Sequence, residues 1–300
     1  MFQKTVFADA KENYKDAKFV IFGVPFDATS SFRSGSRLAP DAMRIASYNF
    51  ETYNPYYNID LCDVPFCDIG NLEVSCIVSE TLDLLYAEVL NILEDGKIPI
   101  MLGGEHSLTF ACVKAFYSKR KEKKNGNIGV IVLDAHMDLR DEYAGTKNNH
   151  ACVSRRILEI TDRYVSIGIR SGSKREYDFA RQNAIKYYTS ESLENKGLRK
   201  ILSDAIDYLN CNQIYLSIDM DVIDPAYAPA VGNPEPFGLN PKEIREIIRI
   251  LSPYLIGFDL VEIAPNYDSG QTALLGAKLV REFIAESVYL KNYKLLSKEI

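Results

Sequence analysis

Three short polar clusters hold the residues best suited to chemistry. They are Gly103-Gly104-Glu105-His106-Ser107, Asp134-Ala135-His136-Met137-Asp138 and Asp219-Met220-Asp221-Val222-Ile223-Asp224-Pro225. Together they offer His106, His136, Asp134, Asp138, Asp219 and Asp221. Two imidazoles and four carboxylates are too many donors for one tetrahedral zinc ion. They suit a pair of hard to borderline divalent ions, with Mn²⁺ the natural candidate for so oxygen-rich a set. A lone His or Asp in such a place is more often a hydrogen-bonded loop residue, and an isolated Asp-x-Asp is weak evidence. Four acids packed together without cations would repel strongly, however, and bound metal removes that repulsion. The coincidence of all three clusters is what carries the metal reading. In an extended segment residues i, i+2 and i+4 point the same way. Asp134, His136 and Asp138 are therefore expected on one face, as are Asp219 and Asp221.

The elements that must position these groups are legible beside them. Each cluster follows an apolar run directly: residues 98–102, 128–133 and 214–218. Similar runs occupy 19–22, 164–167, 185–188 and 255–258. They are short, β-branched and nearly continuous rather than alternating, as strands covered on both faces should be. Helical patterns lie between them at 79–94, 108–117, 198–209, 241–251 and 273–290, and Asn240-Pro241-Lys242-Glu243 reads as a helix start. Alternation of this kind predicts βαβ units and a mostly parallel sheet between helices. In such sheets ligands bind at the carboxyl ends of the strands, which is where all three clusters fall. No linker, composition shift or repeat divides the chain, so residues 1–300 are read as a single α/β domain.

Composition excludes several classes. A net charge of −6 opposes binding to polyanions, and the basic stretch from Lys119 to Lys124 reads as a solvated helix end before an Asn125-Gly126 turn. No apolar run is long enough to cross a bilayer, and residues 1–14 lack the apolar core of a signal peptide. The six cysteines form no CxxC pair and read as free, mostly buried thiols of a cytoplasmic protein. With four aspartates, two divalent ions and a bridging hydroxide, the cluster keeps a charge of about −1. That favours a cationic electrophile, and a guanidinium fits.

The three clusters resemble the metal motifs of the ureohydrolase (arginase/agmatinase) family, and within it most resemble agmatinases. Gly23-Val24-Pro25-Phe26-Asp27 with Arg33, Gly35, Arg37, Pro40 and Arg44 resembles the family's N-terminal segment. Arg140-Asp141-Glu142-Tyr143, His150-Ala151-Cys152, Gly168-Ile169-Arg170-Ser171 and Phe258-Asp259-Leu260-Val261-Glu262 resemble further segments of the family. The resemblance runs from about residue 18 to residue 285. It implies a three-layer α/β/α fold around an eight-stranded parallel sheet. It further implies one manganese on His106 and Asp138, another on His136 and Asp221, and Asp134 and Asp219 bridging the two. Glu262 matches the carboxylate that receives the guanidinium, and His150 the histidine proposed to shuttle protons. The implied reaction is hydrolysis of agmatine to putrescine and urea by a metal-bridging hydroxide, with Asp138 passing the proton to the departing amine. A homo-oligomer, trimer or hexamer, is expected by the same resemblance.

The loop 139–149 looks like the agmatinase form and lacks the Thr/Ser-rich run of arginases. One departure bears on the substrate. The family commonly reads Gly-Thr-Gly-Thr-Pro-Glu, whereas this chain has Ala230-Val231-Gly232-Asn233-Pro234-Glu235, then Phe237 where a glycine is usual. Asn233 can donate and accept hydrogen bonds toward a substrate, whereas Glu235 reads as a loop organiser. Guanidinobutyrase, arginase and formimidoylglutamase activities therefore stay open. A single-zinc deacetylase-like enzyme and an inactive binding relative are the alternatives from other classes.

Overall fold

The computed structural model describes residues 5–121 and 128–296, so half of the basic stretch from Lys119 to Lys124, and the Asn125-Gly126 turn, lie outside the described residues. The strands are β1 (Phe19–Gly23), β2 (Tyr53–Asn54), β3 (Ile59–Asp60), β4 (Phe66–Asn71) and β5 (Ile98–Leu102), then β6 (Ile128–Leu133), β7 (Tyr164–Ile169), β8 (Lys186–Thr189), β9 (Gln213–Asp219) and β10 (Leu255–Val261). The helices are α1 (Ala39–Ser47), α2 (Val78–Glu94), α3 (Thr109–Lys121), α4 (Val153–Leu158) and α5 (Lys174–Gln182), then α6 (Ser190–Lys196), α7 (Leu198–Leu209), α8 (Pro241–Leu251) and α9 (Gln271–Leu296). Eight strands form one sheet in the order β4-β1-β5-β10-β9-β6-β7-β8, while β2 and β3 make a separate small hairpin. Every pairing in the large sheet is parallel. This is the eight-stranded parallel sheet between helices that the resemblance implied.

Alternation along the strands explains the three layers. Phe19, Ile21, Ile100, Leu102, Ile131 and Leu133 feed one core. Their neighbours Val20, Phe22, Met101, Val130 and Val132 feed a second core on the opposite face. Both sets are fully or almost fully buried, which is why the strands read as continuous apolar runs rather than as an alternating pattern. Helix α8 shows how the covering layer is fixed. Asn240 accepts from the backbone N–H of Lys242 and Glu243, and Glu243 reaches back to the Asn240 N–H. This capping box, with Pro241 in the first turn, starts the helix and aims Ile244, Ile247, Ile248 and Leu251 at the core.

Topology places the site. From β6 the chain proceeds outward to β7, whereas from β9 it proceeds the opposite way to β10, yet β6 and β9 are neighbours. The loops leaving their carboxyl ends diverge, and a crevice opens between them. Strands β5 and β10 extend the same edge on one side.

Candidate metal centre and pocket

The three clusters converge at that crevice as expected, but the backbone that brings them together is not extended. Strand β6 ends at Leu133 and β9 at Asp219. Beyond them Asp134 Oδ1 accepts from the His136 N–H (2.6 Å), and Asp219 Oδ1 accepts from the Asp221 N–H (2.9 Å). Asp221 thus lies in a single 3-10 turn, Met220–Val222, and Asp138 adopts a left-handed backbone with φ 49°. The shared-face expectation for residues 134, 136 and 138 and for 219 and 221 is corrected accordingly. Short aspartate-to-backbone bonds compete with the extended conformation and turn the chain. The same bonds fix the carboxylates, and the Ala135 N–H ties Asp221 Oδ1 across to the β6 loop (3.1 Å).

The side chains gather in two overlapping groups. His106 Nδ1 lies 3.3 Å from Asp134 Oδ2, 3.6 Å from Asp138 Oδ2 and 3.1 Å from Asp219 Oδ2. His136 Nδ1 lies 2.9 Å from Asp221 Oδ2 and 3.6 Å from Asp134 Oδ1. Sets of three donors suited to one ion are His106, Asp134, Asp138 and Asp134, His136, Asp221, with Asp134 common to both. His136 is partly exposed; the other five ligand candidates are buried.

Two observations test whether this donor set fits cations. His106 Nδ1 and Asp134 Oδ2 are buried without a hydrogen-bond partner, a costly state for polar atoms unless an ion sits between them. The protonation pattern points the same way. Burial alone would lower the His106 pKa, but Asp134, Asp138 and Asp219 raise it well above the usual imidazole value. Burial and the neighbouring carboxylates Asp221 and Asp134 push Asp219 up, and burial and Asp134 push Asp138 up to about 7. Without metal, protons must neutralise the crowded acids; divalent cations fit the same role, and the residues present fit them.

Beside these ligand candidates runs a cavity of about 490 Å³, within the range of small-molecule sites. Ser31, Phe32, Arg140, Tyr143, His150, Asn233, Glu235 and Glu262 line it. Glu262 follows β10 with φ 66°, and its Oε1 accepts from the His106 N–H (2.8 Å). Burial and the nearby Glu105 push its pKa up to about 8. Glu105 is itself fully enclosed, accepting from the Thr29 N–H (2.6 Å), Thr29 Oγ1 (2.5 Å) and Ser107 Oγ (2.6 Å). His150 opens a 3-10 turn, His150–Cys152, capped by Asn149. Its ring nitrogens lie 3.2 Å from Thr29 Oγ1 and from Ser31 Oγ, and burial lowers its pKa to about 4. Asn233 reaches the same hydroxyl, its Nδ2 donating to Ser31 Oγ (3.4 Å). Glu235 behaves as a loop organiser through its carbonyl, which accepts from Arg170 Nε and Nη2 (3.1 and 2.7 Å). Its carboxylate also lies 4.0 Å from His136 Nε2.

The fold thus brings His106, Asp134, His136, Asp138, His150, Asp219, Asp221, Asn233 and Glu262 together in one place. Thr29 and Ser31, which hold His150, were passed over, and Ser217 and Asp259 behind His106 fell within or beside the quoted motifs without a role. Their signal is faint, since hydroxyl side chains have no diagnostic spacing. All six cysteines are free, three of them buried. Among the described residues no helix is long and apolar enough to cross a membrane.

A parallel sheet with two imidazoles and four carboxylates at its carboxyl edge defines a metal-competent α/β enzyme scaffold. The chain belongs to the arginase family, whose model matches residues 17–285, and it is a hydrolase of the ureohydrolase kind. The agmatine ureohydrolase of Thermoplasma volcanium is a similar solved structure, with TM-score 0.91, 42% identity, and coverage of 98% of this chain and 97% of that one. The agmatinase of Bacillus subtilis is 35% identical over 93% of this chain and 95% of its own length. The N(1)-aminopropylagmatine ureohydrolase of Thermococcus kodakarensis is 37% identical over 88% of each. The expected likeness to agmatinases is borne out.

Proposed function

We propose that this chain hydrolyses agmatine to putrescine and urea, using two divalent cations, manganese by the character of the donors. His106, Asp134, Asp138 and Asp219 would hold one ion, and His136 and Asp221 the other, with Asp134 and Asp219 shared. The unpartnered pair His106 Nδ1 and Asp134 Oδ2 carries this reading. Bound there, the ions supply Lewis acidity and an activated water at neutral pH.

The chain's own residues supply orientation and proton handling. Glu262, which lines the cavity and is anchored by the His106 N–H, receives the guanidinium, so that its central carbon faces the metal ligands. Asn233 and His150 bound the same space. His150 is held from both sides by Thr29 and Ser31, so it is oriented to move protons between the cavity and solvent. Asp138, between His106 and the cavity, carries a proton to the departing amine. The chain acts as one domain over residues 1–300, as a homo-oligomer in the cytoplasm, by the resemblance that carries the substrate.

Urea release with Mn²⁺ should be measured on agmatine, N(1)-aminopropylagmatine, 4-guanidinobutyrate and arginine. Agmatine is expected to give the highest kcat/KM; arginine leading, or urea from none of them, overturns the proposal. His136→Ala is expected to abolish turnover even with excess Mn²⁺. The aminopropyl-extended amine is a second reading, favoured by the relative that acts on it and by a cavity that extends to Ser173 and Glu176 beyond the metal ligands.

A further inference from the structure

Directly behind His106, on the side away from the cavity, lies a polar chain that the proposed reaction does not use. His106 Nε2 is 3.2 Å from Ser217 Oγ, and Ser217 donates to Asp259 Oδ1 at 2.6 Å. Asp259 is completely buried. Its other oxygen accepts from Tyr215 Oη (2.5 Å) and Thr109 Oγ1 (3.0 Å). Burial raises its pKa, and the Ser217, Tyr215 and Thr109 hydroxyls oppose that rise. A carboxylate placed so deep needs a role or a set of donors that stabilises it, and here the donors are arranged in one direction.

Counting protons shows what that direction does. A serine hydroxyl has one hydrogen to give. Ser217 spends its hydrogen on Asp259, so toward His106 it can only accept. Thr109 and Tyr215 likewise point their hydrogens at Asp259. The ring nitrogen facing Ser217 must therefore keep its hydrogen when the imidazole is neutral, so the proton that a bound cation displaces is the one on Nδ1, and the lone pair is left there. Nδ1 is the atom that faces Asp134, Asp138 and Asp219 and lacks a partner of its own.

We infer that Asp259 is a positioning residue: through Ser217 it sets the tautomer and ring orientation of His106, preparing Nδ1 as a metal ligand. The inference rests on the metal reading above and adds a second support to it. Partners of this kind typically change metal affinity by about 10–100-fold when removed. His136 is supported differently, by the half-exposed Glu235 carboxylate 4.0 Å from its Nε2. The two ions should therefore respond unequally to changes at Asp259.

Mn²⁺ titrated into the metal-stripped full chain by calorimetry tests this. Asp259→Asn, which can offer an N–H where the carboxylate only accepts, is expected to weaken one ion at least tenfold and to leave the other near the wild-type affinity. Ser217→Ala should give the same selective loss, and the double variant should be no worse than either single one. Separate structural effects would instead add. Should Asp259→Asn fail to fold, Ser217→Ala carries the test alone. Full-affinity uptake of both ions by a folded variant overturns the inference, as does equal weakening of both ions with additive losses. Wild-type chain that takes up no Mn²⁺ overturns the metal reading itself, a result distinguishable from the others.

Discussion

A methyl group at Gly232 would be placed 2.7 Å from Glu262 Oε2, so the loop that departs from the family pattern touches the residue proposed to receive the guanidinium. Gly232→Ala must push that carboxylate aside or move the loop. The expected outcome is a KM for agmatine raised about tenfold or more, with Mn²⁺ content unchanged, because misplacing a positioning group costs orientation. Steady-state urea kinetics with metal analysis decide it; an unchanged KM counts against Glu262 as the guanidinium acceptor. Glu262→Gln removes the charge but retains an acceptor for the His106 N–H. Hydrogen bonds to charged groups contribute about 1.5–3 kcal/mol, so kcat/KM should fall roughly 10- to 100-fold. At this scale the sequence was most informative where residue type is restrictive. His and Asp at strand ends have few uses, and all six ligand candidates met in space. The roles of Thr29, Ser31, Ser217 and Asp259 were not legible, because a hydroxyl or a buried acid takes its meaning from a partner far away in the chain. Ser217 and His106, for instance, are 111 residues apart.

Elements were legible in proportion to the regularity of their burial. The apolar runs at 98–102 and 128–133 coincide with β5 and β6, and the helical patterns at 198–209 and 241–251 with α7 and α8. Strand β4 escaped notice. It lies at the sheet edge, and its sequence Phe-Cys-Asp-Ile-Gly-Asn mixes a charge and a glycine into the run, as an edge with one partner allows. Asp68 in that strand instead binds the buried Arg44 of α1, at 2.7 Å from Nε. Helices α1, α4, α5 and α6 were also missed; each is nine residues or shorter, too brief for a helical period to stand out. Helix α8 offers a direct check on local coding. Asn240→Ala removes the side chain that caps two backbone N–H groups and should cost about 1 kcal/mol, or about 2–4 °C in Tm. Differential scanning calorimetry measures it, and an unchanged Tm would show that Pro241 and packing of the isoleucines suffice to start the helix.

For the molecule as a whole, the proposed ligands come from strands in both halves of the sheet, so ion binding should be felt as stability. A ligand that binds only the folded state at 100 times its Kd adds about 2.7 kcal/mol. The Tm in Mn²⁺ should therefore exceed that in EDTA by several degrees, and the difference should shrink in a His136→Ala variant. Equal melting curves with and without chelator would count against a site formed from these acids. The strand order has a further consequence, for the order of manufacture. Strands β5 and β6 are successive in the chain, yet β10 and β9 lie between them in the sheet. A growing polypeptide can thus pair β4, β1 and β5, and separately β6, β7 and β8, before the two strands that join these half-sheets have been synthesised. Until residue 213 and those beyond it emerge, the nascent chain carries two unsatisfied inner edges rich in Ile, Val and Leu, the kind of surface chaperones cover. The last strands made are a keystone, and catalytic competence arrives with them.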